Sequence, residues 1–314
     1  SKAFLGSSGA GAQGSPLQSS TAQAHAMASG GITIMMNGLP GAMGHEVAAA
    51  CVRRGFELAP VALTGPNMPA DCDVDVGGPP TKKVRLVGPG DASAQTAAIA
   101  EMQEKFGQGL VIVDFTHPSA VNPNAEIYAA RKCPFVMGTT GGDTDALMKV
   151  TGESGTYAVI APNMCKQIVA LQATMDRMAS DFPNAFGGYK MELVESHQST
   201  KADTSGTAKA MVGSFNKLGV QSFEVDDIKK IRDPKEQQAM GVPDDNLTGH
   251  AWHTYTLTSP DGSVQFQFKH NVCGRSTYAE GVADAVQFLV DKIVAKSEKK
   301  LFNMIDVLGE GRMK

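Results

Sequence analysis

The residues whose types and spacing could do chemistry lie between Glu195 and Ala208, in the run Glu-Ser-His-Gln-Ser-Thr-Lys-Ala-Asp-Thr-Ser-Gly-Thr-Ala. His197 carries the side chain type whose ordinary proton affinity lies near neutrality, so it can give or take a proton at working pH. Lys201, four residues on, adds an ammonium as a second donor. Asp203 to Ala208 then opens a helical stretch running on to Val212, with Ser, Thr and Asp available as caps. Unpaired backbone N–H groups at such an end attract a carboxylate. An imidazole, an ammonium and an anion-binding turn in one short polar segment read as an active site. On chemistry alone the same residues equally suit a solvated loop that merely caps a helix.

The elements that must position this segment begin with Tyr189 to Glu195, which alternates apolar with polar as a half-buried strand does and delivers His197 at its end. Far upstream, the apolar run Ile32 to Asn37 is followed by Gly38-Leu39-Pro40-Gly41-Ala42-Met43-Gly44 and a helical pattern through Met43, Val47, Ala50 and Cys51 to Gly55. Strand, glycine turn and helix form the phosphate-binding order, in which glycines let backbone N–H groups approach a pyrophosphate. The spacing is GxxGxxG, not GxGxxG. A second strand, Leu58 to Leu63, ends in Thr64-Gly65-Pro66-Asn67. An NAD site ordinarily carries an acid there for the ribose 2′-hydroxyl. With no carboxylate to repel a 2′-phosphate at Thr64, NADPH is expected over NADH; Lys82 or Lys83 is a candidate to neutralise it, against the commoner reading of a solvated surface pair.

Further strands are expected at Leu110 to Asp114, an unalternated apolar run of the kind buried on both faces, at Cys133 to Met137, and at Tyr157 to Ile160. Each runs into a polar or small-residue turn, and open parallel sheets bind ligands outside the carboxyl ends of their strands. Beyond a long helix after Cys165, whose stripe of Ile168, Leu171, Met175 and Met178 reads as core, strand patterns dominate. His253 to Leu257 and Val264 to His270 flank Ser259-Pro260-Asp261-Gly262-Ser263, a hairpin signal. A final helix carries Val282, Val286, Leu289 and Ile293 on one stripe. Lys296 to Lys300 reads as a solvated charge run.

Composition bounds the function. A chain of 314 residues, 42% apolar, has room for two domains. A net charge of -4 provides no basic field for nucleic acid, and no apolar run is long enough to span a bilayer. Five scattered cysteines with no CxxC pair point to reduced thiols. Cys165 admits a rival reading as a covalent nucleophile of the semialdehyde dehydrogenase kind, against a packed thiol. His250 and His253 are three apart in an extended segment and so fall on opposite faces, and no metal is expected. Residues 1–30 are Ser, Ala, Gly and Gln almost throughout. They are set outside the fold, as either the remnant of a plastid transit peptide or an expression leader.

The run from Glu195 to Ala208 resembles the signature of dihydrodipicolinate reductases, nicotinamide-dependent enzymes of lysine biosynthesis. Gln198 stands where the bacterial pattern has a second His, and Thr204 where it has Pro. Both departures resemble the plant-type branch. The resemblance extends over Gly38 to Gly44, Asp114-Phe115-Thr116, Gly138-Thr139-Thr140-Gly141 and the end from Leu301 to Leu308, nearly all of residues 31–308. It implies a cofactor site of Gly38, Leu39, Pro40, Gly41, Ala42 and Met43 with Thr64, a nicotinamide-side loop of Gly138, Thr139 and Thr140, and Ala161, Pro162, Asn163 and Met164 beside the carboxamide. It further implies that His197 and Lys201 are catalytic and that Gln198, Ser205, Gly206 and Thr207 bind a substrate carboxylate. Arg275 is placed at the substrate pocket, with an interdomain ion pair as its alternative.

The expected architecture is α/β: a doubly wound Rossmann-type nucleotide domain from 31–163 and 275–314, and a mixed-sheet α+β domain from 164–274 for substrate and oligomerisation. The implied reaction reduces 4-hydroxy-tetrahydrodipicolinate to tetrahydrodipicolinate with NADPH or NADH. A non-catalytic NADP-binding sensor on the same fold is the remaining alternative. Expected partners are a small dicarboxylate and further copies of the chain, as dimer or tetramer through the open sheet face, but neither nucleic acid nor membrane. The expected location is the plastid stroma if 1–30 is a transit remnant, and the cytoplasm otherwise.

Overall fold

Alternation along β1 (Thr33–Asn37) explains why it is buried at every position: Ile34 and Met36 face one buried layer while Met35 faces another. The computed structural model describes residues 31–311, so the expected leader lies outside the described residues. From β1 the chain continues through α1 (Ala42–Arg53), β2 (Glu57–Leu58), β3 (Val61–Leu63), β4 (Asp71–Val74), β5 (Lys82–Val87), α2 (Ala92–Phe106), β6 (Leu110–Asp114), α3 (Val121–Ala130), β7 (Phe135–Met137), α4 (Thr144–Ser154) and β8 (Ala158–Ile160). Then follow α5 (Lys166–Asp181), β9 (Lys190–His197), α6 (Gly206–Lys217), β10 (Lys229–Ile231), α7 (Pro234–Ala239), β11 (His250–Thr258), β12 (Gln265–Cys273), α8 (Ser276–Val294), β13 (Leu301–Phe302) and α9 (Met304–Gly309).

Six strands form one parallel sheet in the order β13-β8-β7-β6-β1-β2. Helices α1 and α8 cover the face carrying Ile34, Val111, Val113, Val136 and Val159. The other face, with Met35, Ile112 and Phe135, packs on α2, α3 and α4. A sheet covered on both sides has no solvent face, hence the apolar runs without alternation. The expected second strand is divided: Glu57–Leu58 pairs with β1, whereas Val61–Leu63 pairs with β5 in a separate three-stranded sheet, β3-β5-β4. Pro60, which has no N–H to donate, lies between the two pieces.

The remaining sheet is mixed, in the order β10-β9-β11-β12, with β10 parallel to β9 and the other pairs antiparallel. One face packs on α5 and α6 through Leu193, Tyr255, Leu257, Met175, Met211 and Phe215. The hairpin read at 259–263 joins β11 to β12. After β12 the chain returns to the parallel sheet, where α8 lies against α1 and β13 adds the last strand beside β8. Arg54, which caps the C-terminal end of α1, pairs with Glu280 at 2.7 Å and with Asp284, which is also met by the buried Lys166 at the start of α5. Close packing reaches the backbone at Gly281, where a Cβ would stand 1.8 Å from the carbonyl oxygen of Met164.

Candidate active site

The carboxyl ends of β1, β6 and β7 are tied together by one buried acid. Asp114 is fully buried and accepts from Tyr128 Oη at 2.6 Å, Asn124 Nδ2 at 2.9 Å, and the hydroxyls of Thr116 and Thr139, each at 2.7 Å. Asn37, at the end of β1, donates to the same tyrosine oxygen at 2.7 Å and accepts from the N–H of Leu63 at 2.8 Å. The turns that follow these strands therefore share a single hydrogen-bonded support. Thr139 is part of it: its hydroxyl also accepts from the Thr116 N–H at 2.8 Å, so it braces the loop.

Gly38 has φ +106°, and a Cβ there would lie 2.2 Å from the carbonyl oxygen of Phe115, so only glycine fits. Gly41 caps α1 without any side-chain hydrogen bond, leaving the first-turn N–H groups of that helix for an anion. Leu39 is a buried plug inside the turn, and Thr64 donates its hydroxyl to the Leu39 carbonyl at 2.5 Å. Thr64 to Asn67 also wall a cavity of about 530 Å³ with Gly88 to Gly90. Lys82 and Lys83 are not near it. They open β5 opposite Val74 and Asp73, whereas Leu63 pairs with Val87 at the other end of that strand, and Lys83 is paired with Asp71 at 3.2 Å. The expected phosphate partner is thus corrected: strand direction separates these lysines from Thr64.

On the mixed sheet, β9 ends at His197, which pairs across to Ala251 of β11 and is 7% exposed. Burial first, then the charges of Arg232 and Lys201, push its imidazole down to about 4, against a hydrogen bond to the His250 backbone that works the other way. The His197 ring is therefore neutral in the free site. Its Nε2 is buried without a hydrogen-bond partner, beside His253 with ring centroids 5.1 Å apart. Burial lowers His253 further, to about 2. Lys201 stands at the cavity wall with its Nζ 2.6 Å from Asp203, whose carboxyl it holds below the usual range. Ser205 caps α6 with no side-chain hydrogen bond, so the first-turn N–H groups there are also left for an anion.

His250 and His253 do alternate along β11, but strand pairing brings His253 against β9. Glu195, His197 and His253 offer ligand atoms that all lie within 4.8 Å of one another. Their surroundings oppose a cation: Arg232 holds one oxygen of Glu195 at 2.5 Å, the Ser205 N–H holds the other at 3.1 Å, and Lys201 adds further positive charge. Cys165 is a buried thiol at the start of α5, facing Thr277 at 3.4 Å and Gln167 at 3.6 Å, and neither of these partners among the described residues is a base that would activate it. The nucleophile reading finds no support there.

One cavity of about 720 Å³ joins the two halves: Thr140, Gly141, Pro162 and Asn163 wall it from the parallel sheet, and His197, Lys201, Thr204, Ser205, Gly206 and Thr207 from the mixed sheet. Asn163 Nδ2 donates to Thr207 Oγ1 across it at 3.1 Å. Gly138, Thr139, Ala161 and Met164 are not among its lining residues: Ala161 and Met164 are buried, and Thr139 is held by Asp114. Gln198 and Arg275 are not among the residues that wall it. Gln198 forms the turn whose carbonyl accepts from Lys201 N–H at 2.9 Å, and the Arg275 guanidinium packs against Gly249. Sequence reasoning missed Arg232, which follows β10, and Gln237, which donates to the His197 carbonyl at 2.7 Å.

The family model for the dihydrodipicolinate reductase N-terminus matches residues 32–164, and that for the C-terminus matches residues 168–308. The chain belongs to the dihydrodipicolinate reductase family. It is an oxidoreductase of that family and takes a nicotinamide nucleotide. Among relatives, 4-hydroxy-tetrahydrodipicolinate reductase 2, chloroplastic, of Arabidopsis thaliana is 50% identical over 285 residues, spanning 90% of this chain and 79% of that protein. A probable 4-hydroxy-tetrahydrodipicolinate reductase 1, chloroplastic, of Oryza sativa subsp. japonica is 48% identical over 282 residues, spanning 90% and 80%. A dipicolinate-bound dihydrodipicolinate reductase from Paenisporosarcina sp. TG-14 shares the fold at TM-score 0.57 and 17% identity, covering 87% of this chain and 97% of that one.

Proposed function

We propose that this chain reduces 4-hydroxy-tetrahydrodipicolinate to tetrahydrodipicolinate and water in lysine biosynthesis, with NADPH preferred to NADH. The observation that carries this reading is the shared cavity, in which Thr140 and Asn163 face His197, Lys201 and Thr207. Loss of water from the substrate gives a conjugated cyclic imine, and the nicotinamide supplies a hydride to it when bound. The negative charge left by that addition takes up a proton. Lys201, the ammonium at the wall, is assigned as its source, released from Asp203 as a substrate carboxylate replaces that partner.

Because His197 is neutral and its Nε2 is turned inward, its assigned role is to hold and exchange a proton beside Lys201 once the dianion is bound. Ser205, Gly206 and Thr207 clamp a carboxylate through the uncapped start of α6 and the Thr207 hydroxyl. The pyrophosphate is assigned to Gly38, Leu39, Pro40, Gly41, Ala42 and Met43, and the 2′-phosphate to the acid-free cavity beside Thr64. The cofactor domain is taken as 31–163 with 275–314, and the substrate domain as 164–274. Strand β12, an edge with exposed Phe266, is the surface assigned to a homo-oligomer, and the chloroplastic relatives support a plastid location. The test is NADPH and NADH consumption, measured side by side, with substrate freshly made from aspartate semialdehyde and pyruvate. No oxidation of either cofactor overturns the assignment, and faster use of NADH overturns the preference.

A further inference from the structure

Between the end of β9 and the start of α6, residues 198–205 belong to no helix or strand, yet they carry both Lys201 and the first residue of the anion turn. Arg232 fastens this span. Its Nε donates to the Lys201 carbonyl at 2.7 Å, and Nη2 to the Asp203 carbonyl at 3.3 Å and to Glu195 Oε1 at 2.5 Å. The other oxygen of the fully buried Glu195 accepts from the Ser205 N–H at 3.1 Å. Nη1 returns to the Ile231 carbonyl at 3.0 Å, so the guanidinium is anchored to β10 itself.

We propose that Arg232, through Glu195, is a positioning residue of the reaction: it fixes the distance between the Lys201 ammonium and the carboxylate-binding turn at Ser205 to Thr207. A planar guanidinium can hold two carbonyls and a carboxylate at once, whereas a lysine places one point charge. Small displacements of a reacting group cost large factors in rate, so the span must be held where the dicarboxylate requires it. After burial, the charge of the same cation helps keep the His197 imidazole neutral. This inference rests on the function proposed above.

The experiment compares wild type, Arg232→Lys and Arg232→Ala in the full chain. Calorimetry measures binding of pyridine-2,6-dicarboxylate, fluorescence measures NADPH binding, and steady-state kinetics follow NADPH oxidation. Arg232→Lys, which keeps the charge, is expected to fold, to bind the dicarboxylate about tenfold more weakly and to turn over about tenfold more slowly, with NADPH affinity unchanged. Arg232→Ala is expected to lose more, and millimolar guanidinium is expected to restore part of both dicarboxylate affinity and turnover. Wild-type dicarboxylate binding and turnover in Arg232→Lys would overturn the proposal, as would a folded Arg232→Ala that guanidinium does not rescue. If wild type binds the dicarboxylate but oxidises no NADPH, the functional reading fails while the binding series still decides the role of Arg232. If it binds no dicarboxylate, both fall.

Discussion

Replacing His197 by glutamine should flatten the acid side of the stability profile, because a buried imidazole that stays neutral is a debt the fold meets only above its proton affinity. In the unfolded chain the ring takes a proton near 6.5, whereas in the folded protein burial, Arg232 and Lys201 delay this to about 4. Between those two values the unfolded state binds more protons, so stability is fully present above about pH 6.5 and falls as pH drops towards 4. The whole gap is worth about 3 kcal/mol, of which about 2 kcal/mol is lost by pH ~5. Urea unfolding of wild type and His197→Gln at pH ~7 and ~5 provides the comparison, since the paired carboxylates titrate alike in both proteins. The variant should lose about 2 kcal/mol less than wild type between the two. His253, lowered in the same sense, remains in both proteins and keeps some slope in each. Equal losses in wild type and variant would refute the neutral, buried imidazole. So would a direct nuclear magnetic resonance titration placing His197 near 6.5.

Gly38→Ala should lower the melting temperature and weaken NADPH binding by more than about tenfold, since its Cβ would meet the Phe115 carbonyl oxygen at 2.2 Å at a φ of +106°. Gly152→Ala, on α4 and away from both cavities, where nothing lies within 4 Å, is the control, and equal behaviour of the two variants would contradict the packed turn. Tyr128→Phe removes the 2.6 Å donor to buried Asp114 and should cost about 1–3 kcal/mol by urea unfolding, with a raised KM for the cofactor as the loop ends loosen. Unchanged stability would mean that the Asp114 cluster does not support those turns.

The parallel sheet was legible because burial on both faces leaves an unmistakable trace, as at Leu110 to Asp114, where every residue is buried. Strand, turn and helix around Gly38 were legible for the same reason that they are needed, since no other residue tolerates that backbone approach. What escaped reading was set by pairing between distant strands. Nothing in Ile-Arg-Asp-Pro marks Arg232 as a clamp, because its partners Glu195, Lys201 and Asp203 become neighbours only when β10 lies beside β9. His253 meets His197 by the same route, through register and not spacing. The lysine pair at 82 and 83 was misplaced because a sequence does not state which end of a strand a charge occupies once that strand is paired. Gln198 was read from the motif and Arg275 from the segment leading into the last long helix; the fold gives one a turn carbonyl that accepts from Lys201 and sets the other against Gly249.

The central claim is that a nicotinamide crevice and a proton source meet around one small dianion, with Lys201 and His197 serving the chemistry and not the cofactor. The most direct measurement is turnover and NADPH affinity together for Lys201→Ala and His197→Ala. Turnover lower by roughly two to four orders of magnitude, with NADPH bound as tightly as by wild type, is the predicted result. Full turnover in both variants would contradict it, and so would a loss of NADPH affinity large enough to account for the slower reaction.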